Sequence, residues 1–209
     1  MSDKDAIEGE KLWNAAFYGN TETIQEILLT RKDLVNFENQ GFTPLYIACF
    51  KGKLEVAEML IKNGAVIDKA TTTDGATPLL IACFKGHKEI VNILIQSGAD
   101  VNKADKDGNT ALHWAIKKGN KEIVENLVHC GAKITESEKG NLEKKFGKKG
   151  LAEIFAQVFI SFSSHFFFSH KNKNKNKNTH RHQKQERKRK KKKKKRRKNE
   201  HMNLLNHFV

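Results

Sequence analysis

The sequence predicts an all-α solenoid, a stack of short helix–turn–helix units joined by hairpin loops, and three observations predict it. The pentads Gly41-Phe-Thr-Pro-Leu45, Gly75-Ala-Thr-Pro-Leu79 and Gly108-Asn-Thr-Ala-Leu112 recur at spacings of 34 and 33 residues. Each is followed by a short apolar run (YIACFKG, LIACFKG, HWAIKKG) and then by a longer amphipathic one (LEVAEMLIKNGA, HKEIVNILIQSGA, NKEIVENLVHCGA). Upstream, Leu12-Trp-Asn-Ala-Ala-Phe-Tyr-Gly19 and Glu22 to Leu29 repeat the pattern 33 residues ahead of Leu45. Periods of this length belong to repeat architectures, in which one supersecondary unit recurs along the chain.

Four units follow, at 8–40, 41–74, 75–107 and 108–140. In the third, Leu79, Leu80 and Ala82 line one side of a short helix, and Ile90, Val91, Leu94 and Ile95 form the stripe of an amphipathic one. Thr77 before Pro78 reads as an N-cap with proline at the first helical position, where its missing N–H is no loss. Gly98 follows the second helix where a left-handed cap belongs, and Gly64 and Gly131 hold the same place. Asp100 to Asp107 is polar and ends at Gly108, as a tight hairpin requires. No unit can bury its apolar face alone, so neighbours must stack. Residues 141–160 keep Gly150, Ile154 and Val158 at second-helix spacing and read as a degraded helical cap closing a domain at 8–160.

This pattern resembles the ankyrin repeat over about residues 8–140. The family's G-x-T-P-L-H-x-A, G-H-x-E-I-V and G-A-D-V-N blocks are matched by residues 75–102 apart from the helix interior. Departures are local. The first unit lacks Thr-Pro and carries Arg31-Lys-Asp-Leu-Val-Asn36 where the second-helix glycine would stand; the second has an extra residue among Thr71, Thr72 and Thr73; the fourth has Ala111 for proline.

The resemblance implies an ankyrin-repeat solenoid that binds a protein partner in a concave groove lined by first helices and hairpin tips. The two residues before each turn glycine face that groove in the family. Here they are Phe17 and Tyr18, Phe50 and Lys51, Phe84 and Lys85, and Lys117 and Lys118, with Phe42 projecting from a hairpin. Phenylalanines spaced 33 and 34 apart would form a ladder with cations beside it. Such a ladder could take an apolar or aromatic anchor flanked by carboxylates, the usual make-up of an interface hot spot. Packing of the same rings as extra core is the competing reading.

Nothing in the sequence points to catalysis, a metal or a cofactor. His113 and His87 occupy positions of the ankyrin pattern, where the family places a histidine bonded to the hairpin and one opening the second helix. Cys49, Cys83 and Cys130 sit in helical apolar patterns and lack disulfide or metal spacing, which suits a reducing intracellular setting, cytoplasm or nucleus. His129 and Cys130 are adjacent on a helix end and project differently, poor geometry for a metal pair. No phosphate-cradling loop or Ser/His/Asp set occurs. The start, MSDKDAIEGEKLW, lacks the apolar core of a secretory signal, and Ile154–Phe168 is too short and too polar for a membrane span. The protein is expected to act as a monomer.

The formal net charge of +15 belongs to one segment. Residues 161–209 hold 18 of the 39 Lys+Arg and 2 of the 24 Asp+Glu, leaving 1–160 near neutral. Lys171 to Asn178 alternates Lys and Asn, and Arg187, Lys188, Arg189, Lys190, Lys191, Lys192, Lys193, Lys194, Lys195, Arg196, Arg197 and Lys198 are consecutive cations. Such a segment is expected to be disordered. Three readings stay open: a nuclear-localisation patch that could also hold nucleic acid or an anionic membrane, a solvated charge run without a partner, or text from a misplaced stop or unspliced intron.

Overall fold

The computed structural model describes residues 3–156. They lie in the first of two compact units, which divide at Val158, and the basic run expected to be disordered lies outside the described residues. Four helix pairs succeed one another: α1 (Asp3–Tyr18) with α2 (Thr21–Thr30), α3 (Pro44–Lys51) with α4 (Leu54–Lys62), α5 (Pro78–Lys85) with α6 (Lys88–Gln96), and α7 (Ala111–Lys118) with α8 (Lys121–His129). First helices pack on first helices and second on second. Among the described residues there is no strand, only isolated antiparallel bridges at the hairpins, Asn39–Phe42 and Ala104–Thr110.

Short-range chemistry sets the helix ends. Thr43, Thr77 and Thr110 each accept from the backbone N–H three residues on, at 3.2, 3.3 and 3.3 Å, with Pro44 and Pro78 behind the first two. Gly64, Gly98 and Gly131 are left-handed, with φ of 91°, 91° and 90°. The unit that lacks both signals solves its ends differently. Helix α1 starts upstream of the motif, at Asp3, with Asp3 and Asp5 in its first turn, where the helix dipole favours acids. Helix α2 ends in a 3-10 turn, Lys32–Asn36, rather than a left-handed cap, so no glycine is needed. The Arg31 guanidinium then ties this turn to α1, 2.8 Å from each of Asp5, Glu8 and Asp33, and its hydrogen bonds to Asp33 and Asp5 hold its pKa above the usual arginine range.

The core is continuous through the stack. Leu12, Leu45, Leu79 and Leu112 occupy one position in successive first helices and none is more than 1% exposed. At about 1.5–3 kcal/mol per buried Leu or Ile, this stripe and its second-helix counterpart are the source of stability. The turn glycines contribute to inter-unit fit. Gly52 has φ 72°, and a methyl there would stand 2.6 Å from the His87 ring of the following unit. His87 thus roofs its neighbour's turn, as Asn120 does over Gly86 and Lys145 over Gly119.

After α8 the chain is helical from 136 to 156, starting ahead of the cap boundary at 141. The reason is a capping box. Thr135 Oγ1 accepts from Glu138 N–H at 3.2 Å, and Glu138 Oε2 accepts from Thr135 N–H at 2.7 Å. Leu142 and Ile154 are fully buried against the stack, Gly147 breaks the helix geometry at φ 71°, and Val158 lies outside the described residues.

A second ladder, of polar groups, stitches the loops after the second helices. Asn36 Oδ1 accepts from Val66 N–H at 2.8 Å while its Nδ2 donates to Gly64 O at 3.4 Å. Asn102 repeats both bonds one stage on, with Lys133 N–H at 2.8 Å and Gly131 O at 3.2 Å. The intervening position is Asp68. Its Oδ2 accepts from Asp100 N–H at 3.1 Å, but Oδ1 is buried with no hydrogen-bond partner, because a carboxylate has no N–H to offer. Asp68→Asn should therefore restore the missing bond and raise stability by about 1 kcal/mol, read as a higher denaturant midpoint at unchanged slope.

Candidate functional site

The residues expected to face a partner fall on the C-terminal ends of the first helices, and the structure interleaves them. Lys51 Nζ stands 3.8 Å from the ring centroid of Phe17, Lys85 Nζ 4.1 Å from that of Phe50, and Lys118 Nζ 3.9 Å from that of Phe84. Each lysine also lies within reach of its own unit's ring, at 5.5 Å for Lys51–Phe50 and 5.6 Å for Lys85–Phe84. The result is an alternating staircase, Phe17–Lys51–Phe50–Lys85–Phe84–Lys118, in which every cation covers the aromatic ring of the preceding unit. The fourth unit has Lys117 where phenylalanine stands in the others, and that ammonium lies 4.5 Å over Trp114. Each such contact contributes about 0.5–1 kcal/mol at an exposed site.

The phenylalanines are half-buried, and the lysines and Tyr18 are exposed. Tyr18 holds the lysine position of the first unit and stands edge-on to Phe17 at 5.0 Å. Phe42 reaches in from its hairpin and tilts against Tyr46 at 5.3 Å. Beneath them Tyr46, Ile47 and Ala76 form a small buried cluster, separate from the main core, against which Trp13, Phe17, Phe42, Phe50 and Ile81 pack. Burial, with the nearby Asp74 charge, pushes the Tyr46 hydroxyl pKa up to about 12. The face thus combines an apolar floor with a row of ammonium groups. Among the described residues Lys51, Lys85, Lys117 and Lys118 form no ion pair, whereas Lys69, Lys88 and Lys121 do.

Three members of this face lie beyond the motif positions. Trp13 stacks on Phe17 at 5.8 Å, and its Nε1–H donates to Phe42 O at 3.1 Å, fixing the hairpin to α1. Trp114 is edge-on to Phe84 at 5.1 Å and donates to Asp105 Oδ2 at 3.2 Å, doing the same for the last hairpin. Tyr46 completes the set. Trp13 and Tyr46 precede Phe17 and Phe50 by four residues, and Trp114 precedes Lys117 by three, so helical periodicity alone could have found them. The hairpin bond expected of His113 is made by Trp114 instead; the His113 ring stands edge-on to Trp114 at 5.7 Å. The extra residue of the second unit is absorbed in a loop. Thr71 donates to Asp74, and Lys106 of the next hairpin donates to the Thr72 and Thr73 carbonyls at 2.7 and 2.8 Å.

Cys49 and Cys83 are fully buried, which raises both thiol pKa values well above the ordinary range, while Cys130 is exposed at the end of α8 rather than part of the core. Among the described residues no group of three or more His, Cys, Asp or Glu side chains is placed to hold a metal ion, and no helix is long and apolar enough to cross a membrane. The native protein should present one thiol to a colorimetric disulfide reagent within minutes and the other two only after denaturation. A Phe50→Ser/Phe84→Ser double variant should lose about 3 kcal/mol in chemical denaturation, roughly half the cost of emptying two fully buried phenylalanine sites.

The nuclear-localisation-like run, Arg187 to Lys198, lies outside the described residues. For the part that is described, the repeat spacing, the threonine N-caps, the left-handed turn glycines and the stacked helix pairs coincide with a family profile. The profile for ankyrin repeats (3 copies) matches residues 3–71 and 67–138, more than half of the chain. Ankyrin repeats are in general modules for protein–protein interaction and are typically non-catalytic. The chain belongs to the ankyrin repeat family.

Proposed function

We propose that this protein is a non-catalytic adaptor, acting as an intracellular monomer, that grips a partner protein on the face built by α1, α3, α5 and α7. The staircase of half-buried rings and unpaired lysines carries this reading. A partner segment with an apolar or aromatic anchor would settle on the floor formed by Phe17, Phe42, Phe50 and Phe84. Its carboxylates would meet Lys51, Lys85, Lys117 and Lys118, for which no described acidic side chain competes. The outer lysines Lys69, Lys88 and Lys121, already paired, have less to offer an incoming anion. The folded unit is taken to comprise the four repeats from residue 8 and the helical cap to residue 160.

The test compares proteins captured from lysate by the full chain, by a Lys51→Glu/Lys85→Glu/Lys118→Glu variant, and by a truncation after Ile160, each with and without nuclease. Loss of the three closest cation–π contacts, at about 0.5–1 kcal/mol each, should lower the melting temperature of the charge-reversed variant by several degrees, and capture is compared well below that transition, where it stays folded. Partners of the staircase should be lost by about tenfold or more with charge reversal and retained by the truncation. Capture that ignores the reversal but vanishes on truncation or with nuclease would instead assign the function to the polybasic run, Arg187 to Lys198, acting on nucleic acid or an anionic membrane.

A further inference from the structure

Where the staircase meets the C-terminal helical segment, the chain forms a cavity of about 460 Å³. One wall is α7, through His113, Ile116 and Lys117; the other is the segment 136–156, through Asn141, Lys144 and Lys145. Lys117 lines the cavity and also covers Trp114, which stands edge-on to Phe84 of the aromatic staircase, so the two are continuous. The charge balance inside is one-sided. Glu138 is the acid in the lining, and its carboxylate is already occupied: Oε1 accepts from the Thr110 hydroxyl at 3.3 Å and Oε2 from Thr135 N–H at 2.7 Å, at the start of a helix whose dipole favours it. Lys117, Lys144 and Lys145 form no ion pair among the described residues.

Three of the groups that line the cavity are held in place by other contacts. Lys117 is seated on the Trp114 ring, His113 stands edge-on to the same ring, and the Lys145 stem lies across the bare backbone of Gly119. A methyl at Gly119 would stand 2.7 Å from Lys145 Cε, so glycine there is what lets the stem cross. Three ammonium groups, an imidazole and a carboxamide around one space offer far more donors than a single carboxylate can accept. A phosphoryl group, with a charge near −2 and three strong acceptor oxygens, matches them. Ile116 supplies an apolar patch beside the polar donors.

Resting on the reading that the staircase binds a protein, we infer that this cavity receives a phosphorylated side chain of the partner, with Lys117, Lys144, Lys145 and Asn141 holding the phosphoryl oxygens. Its position at the end of the staircase makes the phosphate a register mark: a partner lying along the rings would enter the cavity at one point only. Binding would then depend on a kinase acting on the partner, without any change in this protein.

The test uses small probes, so that it does not depend on a partner being known. The isotope-labelled full chain is titrated with N-acetyl-O-phosphoserine methylamide, N-acetylglutamate methylamide and inorganic phosphate, and followed by NMR at the Asn141 side-chain amide and the His113 ring. The phosphoserine probe should give saturable shifts at these two residues, with affinity about tenfold above the other two probes. Lys144→Ala/Lys145→Ala should weaken it about tenfold, and Lys51→Ala/Lys85→Ala should leave it within about twofold. Equal affinity for the glutamate probe would make this a carboxylate site, and equal affinity for inorganic phosphate would make it a site for the free ion; either overturns the inference. So would shifts that never saturate, or equal weakening by both double variants. Each of these failures leaves the lysate comparison with the charge-reversed staircase intact.

Discussion

Stacking of one helix pair on the next is the constraint from which the rest of this structure follows. Leu12, Leu45, Leu79 and Leu112 are buried because the neighbouring unit covers them, and no pair could hide its own stripe. Once the pairs must lie side by side, every equivalent position forms a row. The chain fills those rows with different chemistry: leucine in the core, glycine under a neighbour's side chain at the turns, amides along the loops, and alternating rings and ammonium groups along the first-helix ends.

The cation–π staircase follows from that arrangement rather than from any single unit. Lys51 and Phe50 are adjacent in sequence, yet the lysine covers Phe17 more closely than its own neighbour, at 3.8 against 5.5 Å. Stacking offsets each unit so that a side chain leaving one helix end reaches the ring of the unit before it. The same contacts that would present cations to a partner also tie successive units together. They do so with weak, exposed interactions that a competing carboxylate can share, because the ammonium groups keep open sides.

Much of this was legible in the sequence. Threonine before proline, glycine after each apolar run and the recurrence of GATPL-like pentads determine helix starts, helix ends and the order of pairs, because each acts within a few residues. The ladder positions of Phe17, Phe50 and Phe84 could be read from the family pattern. What escaped depends partly on contacts between units and partly on local contacts outside the repeat motif. Trp13 carries the right helical spacing, but its role rests on the following unit's hairpin, which it touches only after stacking, whereas Tyr46 and Trp114 meet hairpin residues just four and nine places upstream. Helix α1 is already helical at Asp3, upstream of the motif, because nothing like Thr-Pro fixes a later start, and the cap helix begins at 136 because Thr135 and Glu138 cap each other across what reads as the tail of a repeat. The staircase itself could not be read without the offset between neighbouring units.

The seam between the second and third units has a mechanical consequence. At its loop end Asp68 leaves one buried oxygen unpaired where Asn36 and Asn102 each complete two bonds. At its hairpin end Lys106 clamps the enlarged Thr71–Gly75 loop through two carbonyls. Across that same loop edge, however, Lys103 Nζ donates to the Asp68 carbonyl at 2.8 Å, beside the Asp100 N–H bond to Asp68 Oδ2. The joint is therefore fastened at both rims, each time by a lysine of the third unit reaching back to a carbonyl of the second. Two rivets of this kind fix the pitch between the Phe50 and Phe84 rungs, in the middle of the aromatic row.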